Sequence, residues 1–597
     1  MKSIHSRFSL LSLFLLLLSF QLLSFQLQAL DLSNPATALK NYIAHDDGVF
    51  SIQPIAAIPG PGYTAHLYNL TSQKWLTEAE VDKTLWTHTL VMIVPTTVRT
   101  TTALLYVGGD SNLDPLPGAK HPTVQVIAQI ALASQSITAA VLQVPNQPIT
   151  FAGQAPSGED TLVAYTWRKA LDTGNYIWPA YLPMTKSVIK AMDGIQQVTA
   201  GLGYTITDFV LTGFSKRGNA VWLTASVDPR VKAIAPGVID NLNLAENFEH
   251  QYKSYGAYGD AIVDYVKLDI PDVIRAPEFR DLEKVIDPYA SRAVLTMPKF
   301  LLNSSGDDFF LPDSSRFYFA DLSGEKHIRF APNTGHSLAN SVTGVADTLY
   351  SLLGWYQTII YNLPRPAINW AVDNGVLTAS TNMPALQVRV WRANNPLARD
   401  FRRSVIGETW TSTNIKPNTN GEYTAALATG NAGYSAAYIE FVYLGLANLP
   451  VTYSTQIYVT PDVYPFTMTN PVIDPKPSYF WHQQIRNAQA GRRSEVSADT
   501  LNSYLPIPLF DSIIKNMTEM NNGFQIGYPY LKELAERECL ATRLNISHGE
   551  MGWYSSLDLG WGMGNKLLWE HYKVADEAAN DAFPWMSASI CGKLNSF

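Results

Sequence analysis

From Tyr63 to about Asn362 short apolar runs alternate with helical stretches, and this alternation restricts the chain to a doubly wound α/β architecture. Thr89–Val94, Ala103–Val107, Ala139–Val144, Asp208–Leu211, Val231–Ala235, Lys299–Asn303 and His327–Phe330 read as strands, after an opening hairpin of Tyr63–Leu70 and Gln73–Thr77. His121–Ser134, Thr185–Ala200 and Leu338–Tyr361 carry the helical spacing. Pro364-Arg365-Pro366 ends the pattern. Seven short runs of period-two alternation follow, among them Ala385–Arg392, Ser404–Thr409 and Ala437–Tyr443, and they predict a small β-sandwich. The expected organisation is therefore a leader over 1–29, an α/β domain over 31–362, a β-sandwich domain over 363–465 and a helical C-terminal extension over 478–597. Leu501–Glu519, Tyr530–Arg543 and Leu567–Ala579 are the clearest helices of that extension.

Lys2 and Arg7 precede an almost unbroken apolar run from Phe8 to Leu23, the form of a cleavable export signal. A membrane anchor is the competing reading, but the run is short for one and Gln residues follow it. Export is expected, and with it a secreted, extracellular location without stable membrane insertion. Loss of Lys2 and Arg7 leaves 41 basic against 51 acidic side chains, and no basic block occurs anywhere. Nucleic acid is accordingly not an expected partner. In an oxidising compartment the only two cysteines, Cys539 and Cys591, are expected to form a disulfide. Two buried thiols are the alternative. Asn69, Asn303, Asn516 and Asn545 each begin an N-x-[ST] sequon and are candidate glycosylation sites.

The chemistry is concentrated in Asp208-Phe-Val-Leu-Thr-Gly-Phe-Ser215-Lys-Arg-Gly218, where a hydrophobic strand runs through Gly213 into a serine and then a helical segment. That is the strand–turn–helix context of a nucleophile elbow. Arg217 stands where the usual G-x-S-x-G pattern has its second glycine, and Gly218 follows one residue later. A serine that merely caps a helix satisfies the same local pattern. The partners separate the two readings. An α/β-hydrolase carries its acid and then its histidine after later strands, in the order Ser, Asp, His. Lys299–Asn303 leads into Ser304-Ser-Gly-Asp307-Asp308-Phe-Phe-Leu-Pro312, and His327–Phe330 leads into Gly335-His336-Ser337. Asp308, four residues before Pro312, is the expected acid, so the expected triad is Ser215, Asp308 and His336. The backbone N–H groups of Lys216 and Gly109 are the expected oxyanion donors, with the Lys216 ammonium as a further source of positive charge. There is no H-E-x-x-H, C-x-x-C or Walker loop, so neither a metal nor another cofactor is expected.

At Gly213–Gly218 together with Asn303–Ser314 the sequence resembles the PhoPQ-activated pathogenicity-related family. Trp178–Met184, Ala191-Met-Asp193 and His250-Gln-Tyr252 are similar to further landmarks of that family, from about Asp31 to Pro465. The resemblance implies an α/β-hydrolase fold with a serine triad and an appended β-domain. It also implies kinship with secreted proliferation repressors of amoebae that share this fold. The expected function is hydrolysis of an ester or peptide outside the cell through an acyl-enzyme. The alternative is a signal that represses proliferation through a cell-surface receptor, with or without turnover.

Overall fold

The computed structural model describes residues 30–428, 432–467 and 478–490, with short stretches at 496, 501–502, 507–509, 512–514, 556–558 and 565–567. The expected leader, both cysteines and the sequons at Asn516 and Asn545 lie outside the described residues.

The strands of the first part are β1 (Ser51–Gly60), β2 (Tyr63–Lys74), β3 (Leu85–Pro95), β4 (Thr102–Val107), β5 (Thr138–Val141), the two-residue pair β6 (Ile149–Thr150) and β7 (Pro156–Ser157), β8 (Asp208–Phe214), β9 (Val231–Gly237), β10 (Lys299–Ser304) and β11 (Lys326–Ala331). The helices of ten residues or more are α1 (Pro35–Ala44), α2 (Pro122–Ser134), α3 (Glu159–Thr173), α4 (Tyr181–Gly201), α5 (Lys216–Val227), α6 (Leu244–Tyr255), α7 (Pro277–Ile286) and α8 (Ala346–Ile360). Pro122 sits in the first turn of α2, where its missing N–H is not needed, and Gln135 ends that helix in the left-handed conformation.

The main sheet runs β1-β2-β3-β5-β4-β8-β9-β10-β11 and then continues into strands of the second part. From β5 to β11 every neighbour is parallel. The carboxyl ends of β4, β8, β10 and β11 therefore lie along one edge. The order skips from β3 over β5 to β4 and back out to β8, an α/β-hydrolase arrangement with its switch point beside β8. β8 is interior on both faces: Phe209, Val210 and Leu211 are fully buried, as a central parallel strand requires.

The opening hairpin differs from expectation. Residues 63–74 form one strand paired with 51–60, because a bulge between Thr71 and Gln73 lets β2 continue along β3. The turn is made at Gly60-Pro-Gly62, with Gly62 at φ 79°.

The second part contributes β12 (Ile368–Asp373), β13 (Val376–Thr381), β14 (Gln387–Asn395), β15 (Thr411–Asn414), β16 (Tyr423–Ala426), β17 (Tyr434–Leu444), β18 (Pro450–Ser454) and β19 (Tyr458–Thr460). β12, β13 and β16 make one sheet, while β18, β17, β14 and β15 extend the main sheet beyond β11 through a single pairing, Ile328 with Ser454. Leu377, Ala379 and Ala425 of the small sheet share a core with Val388, Val390, Ile439 and Phe441, so two layers face each other as in a sandwich. The expected strand at 404–409 is instead a helical turn over Arg403–Ile406.

Beyond Pro477, α9 (Ser478–Gln489) is helical, but Ile507–Leu509 pairs antiparallel with Ser512–Ile514. That hairpin interrupts the helix expected over 501–519. A second pair, Ser556–Asp558 with Asn565–Leu567, is also antiparallel. Among the described residues no helix is long and apolar enough to cross a membrane.

Candidate active site

Ser215 stands between β8 and α5 with φ 56° and ψ −132°, a conformation that a non-glycine residue holds at a cost of about 1–3 kcal/mol. Its own N–H is fixed by Gly237 O at 2.8 Å, and its carbonyl accepts from Asn219 N at 3.2 Å. The flanking glycines are dictated by how closely strand and helix approach. A Cβ on Gly213 would lie 3.0 Å from Arg217 O, and one on Gly218 would lie 3.0 Å from Gly213 O and 2.9 Å from Ile239 Cγ2. The point of contact thus falls on the third residue after the serine, which is why Arg217 is tolerated at the second.

Asp307 and His336 meet at the adjacent ends of β10 and β11. His336 Nδ1 lies 2.9 Å and 3.0 Å from the two oxygens of Asp307, whose Oδ1 also accepts Phe309 N at 2.8 Å. Asp307 is 4% exposed. The structure thus brings Asp307, not the expected Asp308, to His336. Asp308 points to the other side of the loop, where it accepts a hydrogen bond from Ser404 of the 403–406 turn. The loop leaves β10 in a tight turn through Gly306, where a Cβ would strike Arg403 N at 2.9 Å and Thr334 O at 3.0 Å. That turn brings the first aspartate, not the second, under the imidazole. Counting back from Pro312 missed this, because the turn that displaces Asp308 comes from the second part of the chain. The His336 ring packs on Phe309, with centroids 4.3 Å apart.

Lys216 is the first residue of α5, so its N–H has no intrahelical acceptor. Its ammonium is not available to an oxyanion, because Glu159 Oε2 and Asp160 Oδ2 hold it at 2.7 Å and 2.9 Å. Arg217 donates to Val144 O at 2.6 Å and engages both oxygens of Glu159. Burial disfavours the charged form of Glu159, but the hydrogen bonds and charges of Arg217 and Lys216 outweigh it and hold the carboxyl well below its usual range. The guanidinium lies against Gly109: a Cβ there would be 2.7 Å from Nη2. Gly108 N–H is taken by Val141 O at 2.8 Å, which leaves Gly109 as the first residue past the ladder. Neither Glu159 nor Asp160 was singled out from the sequence. Their only signal was position: two acids opening a helix after a glycine.

Behind Asp307 lies a buried polar network that the sequence did not announce. Tyr318 donates to Asp240, and Asp313 lies 2.8 Å from His250 Nε2 while accepting from Arg399 Nη2 at 2.6 Å. Burial, opposed by the Tyr318 hydrogen bond and reinforced by Asp307 and Asp313, raises the Asp240 carboxyl to about 8. Among the described residues no cluster of three or more His, Cys, Asp or Glu is arranged to hold a metal ion.

Ser215 lines a cleft of about 60 Å³ with Trp167, Tyr265, Phe309 and Phe310 in its walls. The sequons divide by burial. Asn69 is exposed on β2, whereas Asn303 is 3% exposed inside β10, where no glycan can be accommodated. Asn303 is therefore corrected as a glycosylation site.

Over residues 39–402 the chain matches the family model described as PhoPQ-activated pathogenicity-related protein. It is 33% identical over 460 residues to autocrine proliferation repressor protein A of Dictyostelium discoideum, covering 72% of this chain and 92% of that relative. Among solved structures it is similar to an acetyl xylan esterase from Paenibacillus sp. R4, at 12% identity over 50% of this chain and 87% of the other, with a TM-score of 0.37. It is also similar to the acylaminoacyl peptidase of Pyrococcus horikoshii, at 11% identity over 53% of this chain and 50% of the other, with a TM-score of 0.34. The family match spans the serine elbow, the aspartate loop and the histidine loop alike, and the chain belongs to the PhoPQ-activated pathogenicity-related protein family.

Proposed function

We propose that the chain is an exported serine hydrolase that cleaves an ester or peptide bond through an acyl-enzyme, with Ser215 as nucleophile, His336 as base and Asp307 as the orienting acid. The observation that carries this reading is the Asp307–His336 pair on the same sheet edge as a serine held in left-handed backbone geometry. With Nδ1–H directed at Asp307, the His336 Nε2 lone pair is the acceptor for the Ser215 proton. Ser215 Oγ then attacks the carbonyl carbon, and the negative charge on the carbonyl oxygen is met by the N–H groups of Lys216 and Gly109. Collapse expels the alcohol or amine with the proton returned by His336, and water repeats the sequence to free Ser215. Arg217 and Glu159 act as positioning residues for the Gly109 turn.

The test is labelling of the full chain with a fluorophosphonate probe. Labelling that disappears in Ser215→Ala supports the reading, and an unlabelled wild type or a labelled Ser215→Ala overturns it.

A second reading rests on the name of the Dictyostelium relative: an extracellular signal that represses proliferation through a receptor. Conditioned medium separates the two. Equal growth repression by wild type and Ser215→Ala supports receptor binding alone, while repression lost in Ser215→Ala ties the signal to turnover. In both readings the leader over 1–29 directs export, and Asn69 is the described sequon open to glycosylation.

A further inference from the structure

The sheet carries a second, larger cavity next to the candidate site. Along β4 and β8 alternate side chains face opposite ways. Leu104 and Tyr106 of β4 and Thr212 and Phe214 of β8 face a space of about 370 Å³ that α2 and α8 roof over. His336 is part of its wall, and Phe214, in the same wall, immediately precedes Ser215. Phe309, packed on His336, belongs to the Ser215 cleft instead. The candidate reacting groups therefore stand on the partition between a small cleft and a large chamber.

We propose that this chamber binds the aliphatic chain of a lipid ester, so that the substrate is a long-chain acyl ester whose small polar part occupies the Ser215 cleft. The inference rests on the hydrolase reading above. No Asp, Glu, Lys or Arg lines the chamber, and its Thr212 hydroxyl is already committed to Ala235 O at 2.7 Å. Tyr106, Thr123, His336, Ser337 and Thr348 leave a few polar atoms in the wall, but a charged occupant would be left without a counter-ion, and most of the lining is aliphatic or aromatic. The Ser215 cleft, in contrast, includes the paired Lys216 and Asp160. Gly108 at the sheet edge and Leu104 are four residue steps apart, roughly 13 Å at the rise of a parallel strand, which suits an extended chain of about ten carbons. The loops that lead into the two roofing helices each carry an exposed apolar side chain among polar ones. Val342 is 86% exposed before α8 and Leu113 is 81% exposed before α2.

Two measurements on the full chain test this. The first is kcat/KM on p-nitrophenyl esters from acetate to decanoate, for wild type and for Val126→Trp and Leu349→Trp, which fill the chamber from its two roofing helices. The wild-type value should rise by about ten-fold or more with chain length, since each buried methylene adds favourable transfer energy. Either tryptophan variant should abolish that rise and leave acetate hydrolysis within about two-fold, as expected for a change confined to the chain site. The second is calorimetric titration with 1-decanol as probe, a neutral ten-carbon chain, which reads chain binding without turnover. Saturable binding to wild type and Ser215→Ala that is lost in Val126→Trp supports the chamber. If no ester is hydrolysed yet the probe binds in this pattern, the hydrolase reading fails and the lipid site stands. A preference for acetate, a chain-length profile unchanged by tryptophan, or absence of saturable probe binding overturns the proposal.

Discussion

Arg399, from the turn after β14, donates Nη2 to Asp313 Oδ2 at 2.6 Å, while the other oxygen of that carboxylate lies 2.8 Å from His250 Nε2 on α6. Arg399 Nη1 also donates to Ser254 Oγ at 3.0 Å. Three separate pieces of the chain thus share one buried carboxylate. Burial alone would keep Asp313 neutral, but His250 and Arg399 hold it well below the usual carboxylate range.

Arg399→Met keeps the bulk of the side chain and removes its charge, which leaves Asp313 buried without its main counter-ion. The expected loss is about 3–5 kcal/mol of unfolding free energy, read from urea denaturation. A loss below about 1 kcal/mol would mean that Asp313 draws its stabilisation elsewhere.

The two adjacent aspartates should separate kinetically. Asp307→Asn should lower kcat by about 10⁴-fold, because the amide no longer holds His336 in the tautomer that accepts the serine proton. Asp308→Asn keeps an acceptor for Ser404 and should stay within about five-fold of wild type, as a group outside the reacting constellation. The inverse ranking on any hydrolysed ester would return the acid role to Asp308.

Gly218→Ala places a methyl group against Gly213 O and Ile239, where neither backbone nor side chain has room to yield. It should cost about 1–3 kcal/mol and reduce fluorophosphonate labelling as the elbow opens. Gly201→Ala is the control, since nothing lies within 4 Å of its Cβ position at the end of α4. There alanine should stabilise by up to about 1 kcal/mol.

Asp240 gives the pH dependence. Its carboxyl, raised by burial from the usual 3.8 to about 8, keeps a proton in the folded protein that the unfolded chain has lost. Between about pH 4 and pH 8 the folded state binds more protons, so stability falls as pH rises, by at most about 1.4 kcal/mol per unit. Asp240→Asn still accepts from Tyr318 and does not titrate. Its stability relative to wild type should therefore grow from pH 4 to pH 8 and level off above. A difference that is flat with pH would show that Asp240 is ionised in the fold.

The parallel strands were legible because they are short, mainly apolar runs with glycine or proline close by, as in Asp208–Gly213. The serine was legible because it follows such a run at once, and the histidine because it stands in the short loop that leaves one. Asp307 and Asp308 could not be ranked that way. Their difference arises from Gly306 meeting Arg403 and from Ser404 drawing Asp308 aside, and those contacts come from a segment about a hundred residues away. The Glu159 and Asp160 clamp was hidden for the same reason, since Lys216 and Arg217 lie nearly sixty residues beyond it. The strand Ser51–Gly60 was missed because Pro54, Pro59 and small residues blur its alternation, which an outermost strand exposed along much of its length can tolerate.

The single pairing of Ile328 with Ser454 has a bearing on where the chain can be cut. β11 would otherwise end the parallel array with its outer N–H and C=O groups unclaimed, a ready template for another molecule's strand. Here β18 and β17 take over that flank, and the array finally stops at β15, only four residues long. At the far side β1 ends it with two prolines that cannot donate. A hydrolase unit severed after Asn362 would keep every candidate catalytic group yet bare the flank of β11. Such a fragment should self-associate more readily than the whole chain, so the second part serves as the selvedge of the sheet.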